Sequence, residues 1–177
     1  MTTPELRAFH LGIVVKSLDA TMKQYGAMFD VKRWHRAKGR FNGLEMAYGR
    51  GGEQAFELFE VVGPGDSHIH QFFDEHGEGV NHIGFWTADV ASSARRAVDN
   101  GAQLLSLTAD AEGNATARLV PAQSVTADDW SSQGLVTFVK PTGGVLIEYV
   151  GPAGEEFMRN WLQDDFANVI AAPPWVG

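Results

Sequence analysis

The chain repeats itself, and the repeat limits its fold more than any other feature. His10-Leu11-Gly12-Ile13-Val14-Val15 and His82-Ile83-Gly84-Phe85-Trp86-Thr87 both read His, branched aliphatic, Gly, then three strand-forming residues. Asp19 follows the first and Asp89 the second, and after each Asp comes a stretch of helical spacing. The first of these, 20–29, carries Met22, Tyr25, Met28 and Phe29; the second, 90–100, closes on Gly101, a residue suited to a left-handed C-terminal cap. Each copy ends in a strand-like run around one carboxylate, Ala55-Phe56-Glu57-Leu58-Phe59 and Val145-Leu146-Ile147-Glu148-Tyr149-Val150. A repeat of this kind predicts like units sharing a core. We expect an α+β fold of two paired βαβββ modules, 6–64 and 78–151, within one domain covering 1–177.

The copies differ in length. His to Glu spans 47 residues in the first and 66 in the second, a surplus of 19. The extra residues fall in a polar, turn-rich stretch between Leu107 and Gln133, where a lid or binding loop is expected and Trp130 is the pocket candidate. Gly63-Pro64-Gly65 closes the first module, and a helical stretch over 70–75 links it to the second. In the extension 152–177, Phe157, Met158, Trp161, Leu162, Phe166, Val169 and Ile170 recur at helical spacing, predicting an amphipathic helix over 155–170, packed on the outside of the domain or else serving as a dimer contact or active-site cover. Pro173-Pro174-Trp175 reads as an irregular end.

Composition narrows the function. The 177 residues carry a net charge of −8, which argues against binding nucleic acid or an anionic membrane surface. There is no cysteine, so thiolate nucleophiles, cysteine zinc sites and iron–sulfur clusters are excluded. The N-terminal stretch lacks the apolar core of a signal peptide, and no apolar run is long enough to span a membrane; a soluble cytoplasmic protein is expected. A metal site here must be built from His, Asp, Glu and water.

Side chains of a strand alternate faces, so His10 and His82 occupy matching points in the opening strands, and Glu57 and Glu148 in the closing ones. Each Glu interrupts an apolar run, an expensive place for an unpaired carboxylate. Taken singly, each Glu can face water and each His can be structural. If the modules pair about a pseudo-twofold axis, two imidazoles and two carboxylates converge, a donor set suited to a borderline divalent ion.

These residues carry a family resemblance. Gly77-Glu78-Gly79-Val80-Asn81-His82-Ile83-Gly84-Phe85 and Gly144-Val145-Leu146-Ile147-Glu148-Tyr149-Val150, with the His10 strand, resemble the vicinal oxygen chelate superfamily, which includes glyoxalase I, methylmalonyl-CoA epimerase, extradiol dioxygenases and bleomycin resistance proteins. The epimerase and glyoxalase I branches are the most similar, although Asn81 stands where the epimerases carry the first His of a pair. The resemblance implies a cupped sheet around one divalent ion (Zn, Co, Ni, Mn or Fe), with His10, Glu57, His82 and Glu148 as ligands. It implies a homodimer acting on a small molecule. The implied activity is an isomerase, epimerase or lyase-like proton transfer next to a carbonyl, on an acyl thioester or related small carbonyl compound. The ion serves as the Lewis acid that steadies the enolate. Glu148 is the expected base, with Glu45 as the second acid–base group. An extradiol-type dioxygenase is the alternative of another reaction type, although Glu57 would fill a position such an enzyme keeps open. A metal-free binding or resistance protein is the other.

Two smaller signals remain. Lys32, Arg33, Arg36, Lys38 and Arg40, with His35 among them, form a basic segment in an acidic chain, either a solvated loop or a seat for a substrate anion. His68-Ile69-His70 has strand-like spacing for two ligands but lies in a loop-like context, and His76 is expected to end the linking helix.

Overall fold

Alternating apolar residues become strands and three- to four-residue spacings become helices through most of the chain. The computed structural model describes residues 6–38, 42–109, 115–131, 133 and 136–169. The first half runs β1 (Arg7–Val15), α1 (Leu18–Phe29), β2 (Trp34–Lys38), β3 (Leu44–Gly51) and β4 (Gln54–Val61). After α2 (His68–His76) come β5 (Gly79–Trp86), α3 (Val90–Asp99), β6 (Gln103–Ala109), β7 (Ala115–Val120), α4 (Ala127–Ser131), β8 (Val136–Lys140) and β9 (Leu146–Val150). The end is α5 (Pro152–Leu162), a 3-10 turn (Gln163–Asp165) and α6 (Phe166–Val169).

Ser17 and Asp89 start α1 and α3 by accepting backbone N–H bonds from Ala20 and Ser92. Helix α1 therefore begins two residues earlier than its apolar spacing alone predicts. Helix α2 likewise opens at His68, because Ser67 accepts from the N–H groups of Ile69 and His70. The His68-Ile69-His70 run is thus helical, and its imidazoles diverge. His70 pairs Nδ1 with Ser67 Oγ at 2.8 Å, whereas His68 lies against Phe138.

All nine strands form one mixed sheet in the order β2-β3-β4-β1-β5-β9-β8-β6-β7. Each opening strand runs parallel to its own closing strand, β1 with β4 and β5 with β9. The two opening strands meet antiparallel at the centre. The second half has one strand more than the expected βαβββ pattern. The surplus that reads as a polar loop builds β7, an edge strand on β6, and α4, whose Asp129 takes Arg118 at 2.7 Å. Trp130 does not line the cleft that runs from His68 to Lys140. It packs with Val139 and Tyr149 on the α3 side of the sheet, beneath the Arg95 guanidinium at 4.6 Å.

Helices α1 and α3 cover the outer face of the sheet, through clusters centred on Leu18 and Leu58 and on Ala94 and Leu104. The inner face is treated differently in the two halves. In the first, Leu162 and Phe166 of the C-terminal segment join Ile69 of α2 against Leu44, Met46, Tyr48 and Phe59. The amphipathic stretch of the tail therefore fills the cup instead of lying outside the domain. It also bends, because Gln163 takes φ 47° and ends α5 before Phe166. Ile170 and Pro173-Pro174-Trp175 lie outside the described residues. No helix among the described residues is long and apolar enough to cross a membrane.

Candidate metal centre

The four side chains expected to converge do so. His10 on β1, Glu57 on β4, His82 on β5 and Glu148 on β9 bring one donor atom each to within 4.8 Å of one another on the inner face. The two Nε2 atoms lie 3.0 Å apart. Glu148 Oε2 is 2.8 Å from His10 Nε2, and Glu57 Oε2 is 3.1 Å from His82 Nε2. The crossed distances are 3.5 Å for His10 to Glu57 and 3.6 Å for His82 to Glu148. All four residues are at most 9% exposed.

The repeated His-x-Gly has a steric cause. Register sets Gly12 opposite His82 and Gly84 opposite His10. Each imidazole lies across the other strand's glycine, so a Cβ at Gly12 would fall inside the His82 ring and one at Gly84 inside the His10 ring. Two histidines can reach the same point from adjacent antiparallel strands only because the residue facing each has no side chain.

Hydrogen bonds fix the donors. His82 Nδ1 lies 3.0 Å from Asn81 Oδ1, an oxygen that can only accept, so this ring carries its proton on Nδ1 and aims the Nε2 lone pair at the centre. Glu57 is held twice, by the Tyr48 hydroxyl donating to Oε1 and by the contact of Oε2 with His82. Glu148 meets His10 through Oε2, and Oε1 makes no hydrogen bond among the described residues. Phe9 and Phe138 set their rings edge-on to His10 and His82, at 4.4 and 5.4 Å between centroids.

This donor set fits a divalent cation. Lone pairs from two imidazoles and two carboxylates cannot lie about 3 Å apart in a buried site without positive charge between them. Ligand bonds of about 2.0–2.2 Å, usual for His and carboxylate on zinc-like ions, place neighbouring donors about 3.0–3.5 Å apart, close to the contacts of 2.8 to 3.6 Å between imidazole and carboxylate here. Without a cation, protons take its place. Burial opposes the His10 imidazolium, but Glu148, with help from Glu57, raises its pKa above the ordinary value. Burial would raise Glu57, yet hydrogen bonding and charge from His82, with His10 and Tyr48, hold it low. The buried cluster can thus hold one metal ion in exchange for protons.

Glu45 is not part of this group. On β3 it alternates away from Leu44, Met46 and Tyr48, and it lies opposite Glu60, whose carboxylate caps the start of α1 from the outer face. Its own partner is Arg36 at 3.1 Å. The basic segment is likewise engaged internally. Arg36 also reaches Asp19 at 2.6 Å, Lys32 pairs with Asp30, and Arg33 and His35 hold Asp165 at 2.5 and 3.0 Å. The side chain of Lys38, and Arg40 altogether, lie outside the described residues.

Two further inner-face residues bear on the centre: Tyr48, which was not singled out from the sequence, and His68, which the sequence offered only as a ligand paired with His70. Tyr48 orients Glu57, and alternation with Leu44 and Met46 is the signal that places it on the inner face. His68 is buried beside the cluster, its rings 5.1 Å from Phe138; burial, with the proximity of His82, pushes its pKa down to about 3, so it is neutral.

Comparison with known proteins bears on the family and the fold. The family model described as glyoxalase/bleomycin resistance protein/dioxygenase superfamily matches residues 9–118. An uncharacterized protein of Bacillus subtilis, YqjC, is 24% identical over 156 residues, 85% of this chain and 95% of that protein. A hypothetical protein from Bacillus halodurans superposes with a TM-score of 0.57 at 23% identity, over 81% of this chain and 92% of that one. A methylmalonyl-CoA epimerase variant from Streptomyces coelicolor, in complex with 2-nitronate-propionyl-CoA, superposes with a TM-score of 0.56 at 27% identity, over 82% of this chain and 97% of that one.

Proposed function

Because the chain belongs to the glyoxalase/bleomycin resistance protein/dioxygenase superfamily, we propose that it is a metal-dependent isomerase or epimerase that moves a proton next to a carbonyl group. Its substrate class is a small carbonyl compound or acyl thioester. His10, Glu57, His82 and Glu148 would hold a divalent ion, which would supply Lewis acidity toward the substrate's carbonyl oxygen.

The chain's own residues divide the remaining work. The unequal anchoring of the two carboxylates carries the reading. Glu57 is fixed through both oxygens, whereas Glu148 keeps Oε1 uncommitted. Glu148 is therefore the base: its carboxylate takes the proton from carbon and, as the carboxylic acid, returns it. Return to the adjacent carbon gives isomerisation. Return to the opposite face of the same carbon needs a second acid–base group. Glu45, on the outer face, is not placed to supply it. A second carboxylate at the centre also favours proton transfer over oxygen chemistry, since an extradiol-type site keeps that position open.

The test is proton exchange. Metal-loaded protein in deuterium oxide is incubated with methylmalonyl-CoA and a panel of small 2-oxo and 2-hydroxycarbonyl compounds, and deuterium at carbon is read by NMR. We expect exchange with at least one compound, reduced about 10²-fold or more by Glu148→Gln and unchanged by Glu45→Gln. Oxygen uptake with a catechol and ferrous iron, without exchange, would replace this reading with the dioxygenase. Ligand capture that survives a chelator and Glu148→Gln would replace it with a binding protein.

A further inference from the structure

We propose that the substrate carries an anionic group beyond its carbonyl, and that Lys140 receives it in the cleft between α2 and the second half of the sheet; this rests on the proton-transfer reading above. The argument begins with which side of the centre is open. On the first-half side, Leu162 and Phe166 pack with Ile69 into the core over Met46 and Tyr48, leaving that cup filled. On the second-half side, a cleft of about 150 Å³ runs from His68 and Asn81 out to Lys140. Its inner end is one side chain away from the centre: Asn81 bonds the His82 ring, and Leu146 lies opposite His82 in the β5–β9 ladder.

One wall is apolar, with Leu105, Leu119 and Leu146 of the sheet, and the other, from α2, carries Phe72 beside the polar His68, Gln71, Glu75 and His76. The charge is at the outer end. Lys140 forms no ion pair among the described residues, whereas Arg33, Arg36, Arg118 and Arg159 all hold carboxylates. Glu75, across the mouth, is turned toward His76 at 3.5 Å and is mostly exposed. The spacing sets the ligand. Phe138 faces Glu148 and Val139 faces Ile147, so Lys140 follows two residues beyond Phe138 on β8, on the same face. At about 3.4 Å per residue its Cα lies about 7 Å along the strand from the level of Glu148. A carboxylate or similar anion two or three carbons from the reacting carbonyl would lie along this cleft with its charge at the ammonium. An unpaired cation at the end of a trough with one apolar wall selects such a molecule over a neutral one, since a charge-assisted bond is lost when the anion is missing.

The experiment separates the metal from the cleft. Succinic monohydroxamate and butanohydroxamate share a metal-chelating head and differ in a carboxylate or methyl tail. Each is titrated calorimetrically into cobalt-loaded and metal-free protein, with the cobalt visible spectrum reporting the head. We expect the carboxylate tail to bind about tenfold more tightly, the preference to vanish in Lys140→Gln, and Lys140→Arg to keep it. An unchanged cobalt spectrum, with a tail preference that still depends on Lys140 in metal-free protein, would retain the cleft while the metal reading falls. No tail preference in either form, or a preference that survives Lys140→Gln, would overturn the inference.

Discussion

In the first half of the sheet the inner face is closed: Leu162, Phe166 and Ile69 occupy it, and Tyr48 at its edge is tied to Glu57. In the second half the same face carries Leu105, Ala117, Phe138 and Leu146 and ends in a cleft leading to Lys140. Yet each half delivers one His from its opening strand and one Glu from its closing strand to a common point. The likeness lies in the two parallel strand pairs at the centre, where any change would move a ligand. The differences lie in what was added outside them, a C-terminal segment over one half and an edge strand on the other. Two like halves can thus keep a symmetric donor set while differing in how the inner face beside it is covered.

The largest effects should come from the symmetric elements. Gly12→Ala and Gly84→Ala each drive a methyl group into the opposing imidazole. Overpacking of this kind costs about 1–3 kcal/mol, and both variants should lose their bound metal in elemental analysis. A variant that keeps full metal would break the equivalence of the halves. Next is the filling of the first half. Phe166 is 2% exposed, so Phe166→Ala should cost about 3–5 kcal/mol in urea unfolding, whereas Leu119→Ala, on the cleft wall, should cost less than about 2 kcal/mol. Equal losses would erase the contrast between a packed cup and an open one.

A smaller effect should appear in acid. His68 is neutral in the fold, with its pKa pushed down to about 3 from the ordinary 6.5 of the unfolded chain. Between those values the unfolded state binds the extra proton, so stability falls as pH falls through that window, by at most about 1.4 kcal/mol per pH unit. His68→Leu should flatten this limb of the urea midpoint against pH; an unchanged limb would assign the acid sensitivity elsewhere. The smallest change is expected at the latch of the C-terminal segment. Asp165→Asn weakens the pairing with Arg33 and His35, with an expected cost of about 1 kcal/mol or less that shrinks in high salt. A cost that ignores salt would point to packing instead.

Much of the centre is legible in the sequence because its logic is local and repeated. His-x-Gly marks a strand whose ring must cross a neighbour, and a Glu within an apolar run marks a carboxylate with a buried purpose. The face taken by Glu45 is harder to read. Leu44, Met46 and Tyr48 share one face of β3, so Glu45 between them takes the other, but its relation to Glu57 depends on register with β4, which spacing does not reveal. The setting of Trp130 is similar: polar neighbours suggest a loop, whereas Ala117 and Leu119 alternate with Arg118 in an edge strand, and Trp130 on α4 packs against the α3 side of the sheet. The tail's apolar spacing predicts a helix but not its destination, because the surface it covers is assembled from β3, β4 and α2.

The most direct test of the account is metal content per chain, measured by elemental analysis on protein purified without a His tag, for wild type, Glu57→Gln and Glu148→Gln. A shared centre built by both halves predicts about one divalent ion per chain, lost or strongly weakened in either variant. Full occupancy in both variants, or no binding after zinc, nickel, cobalt, manganese and iron are each added back, would contradict it.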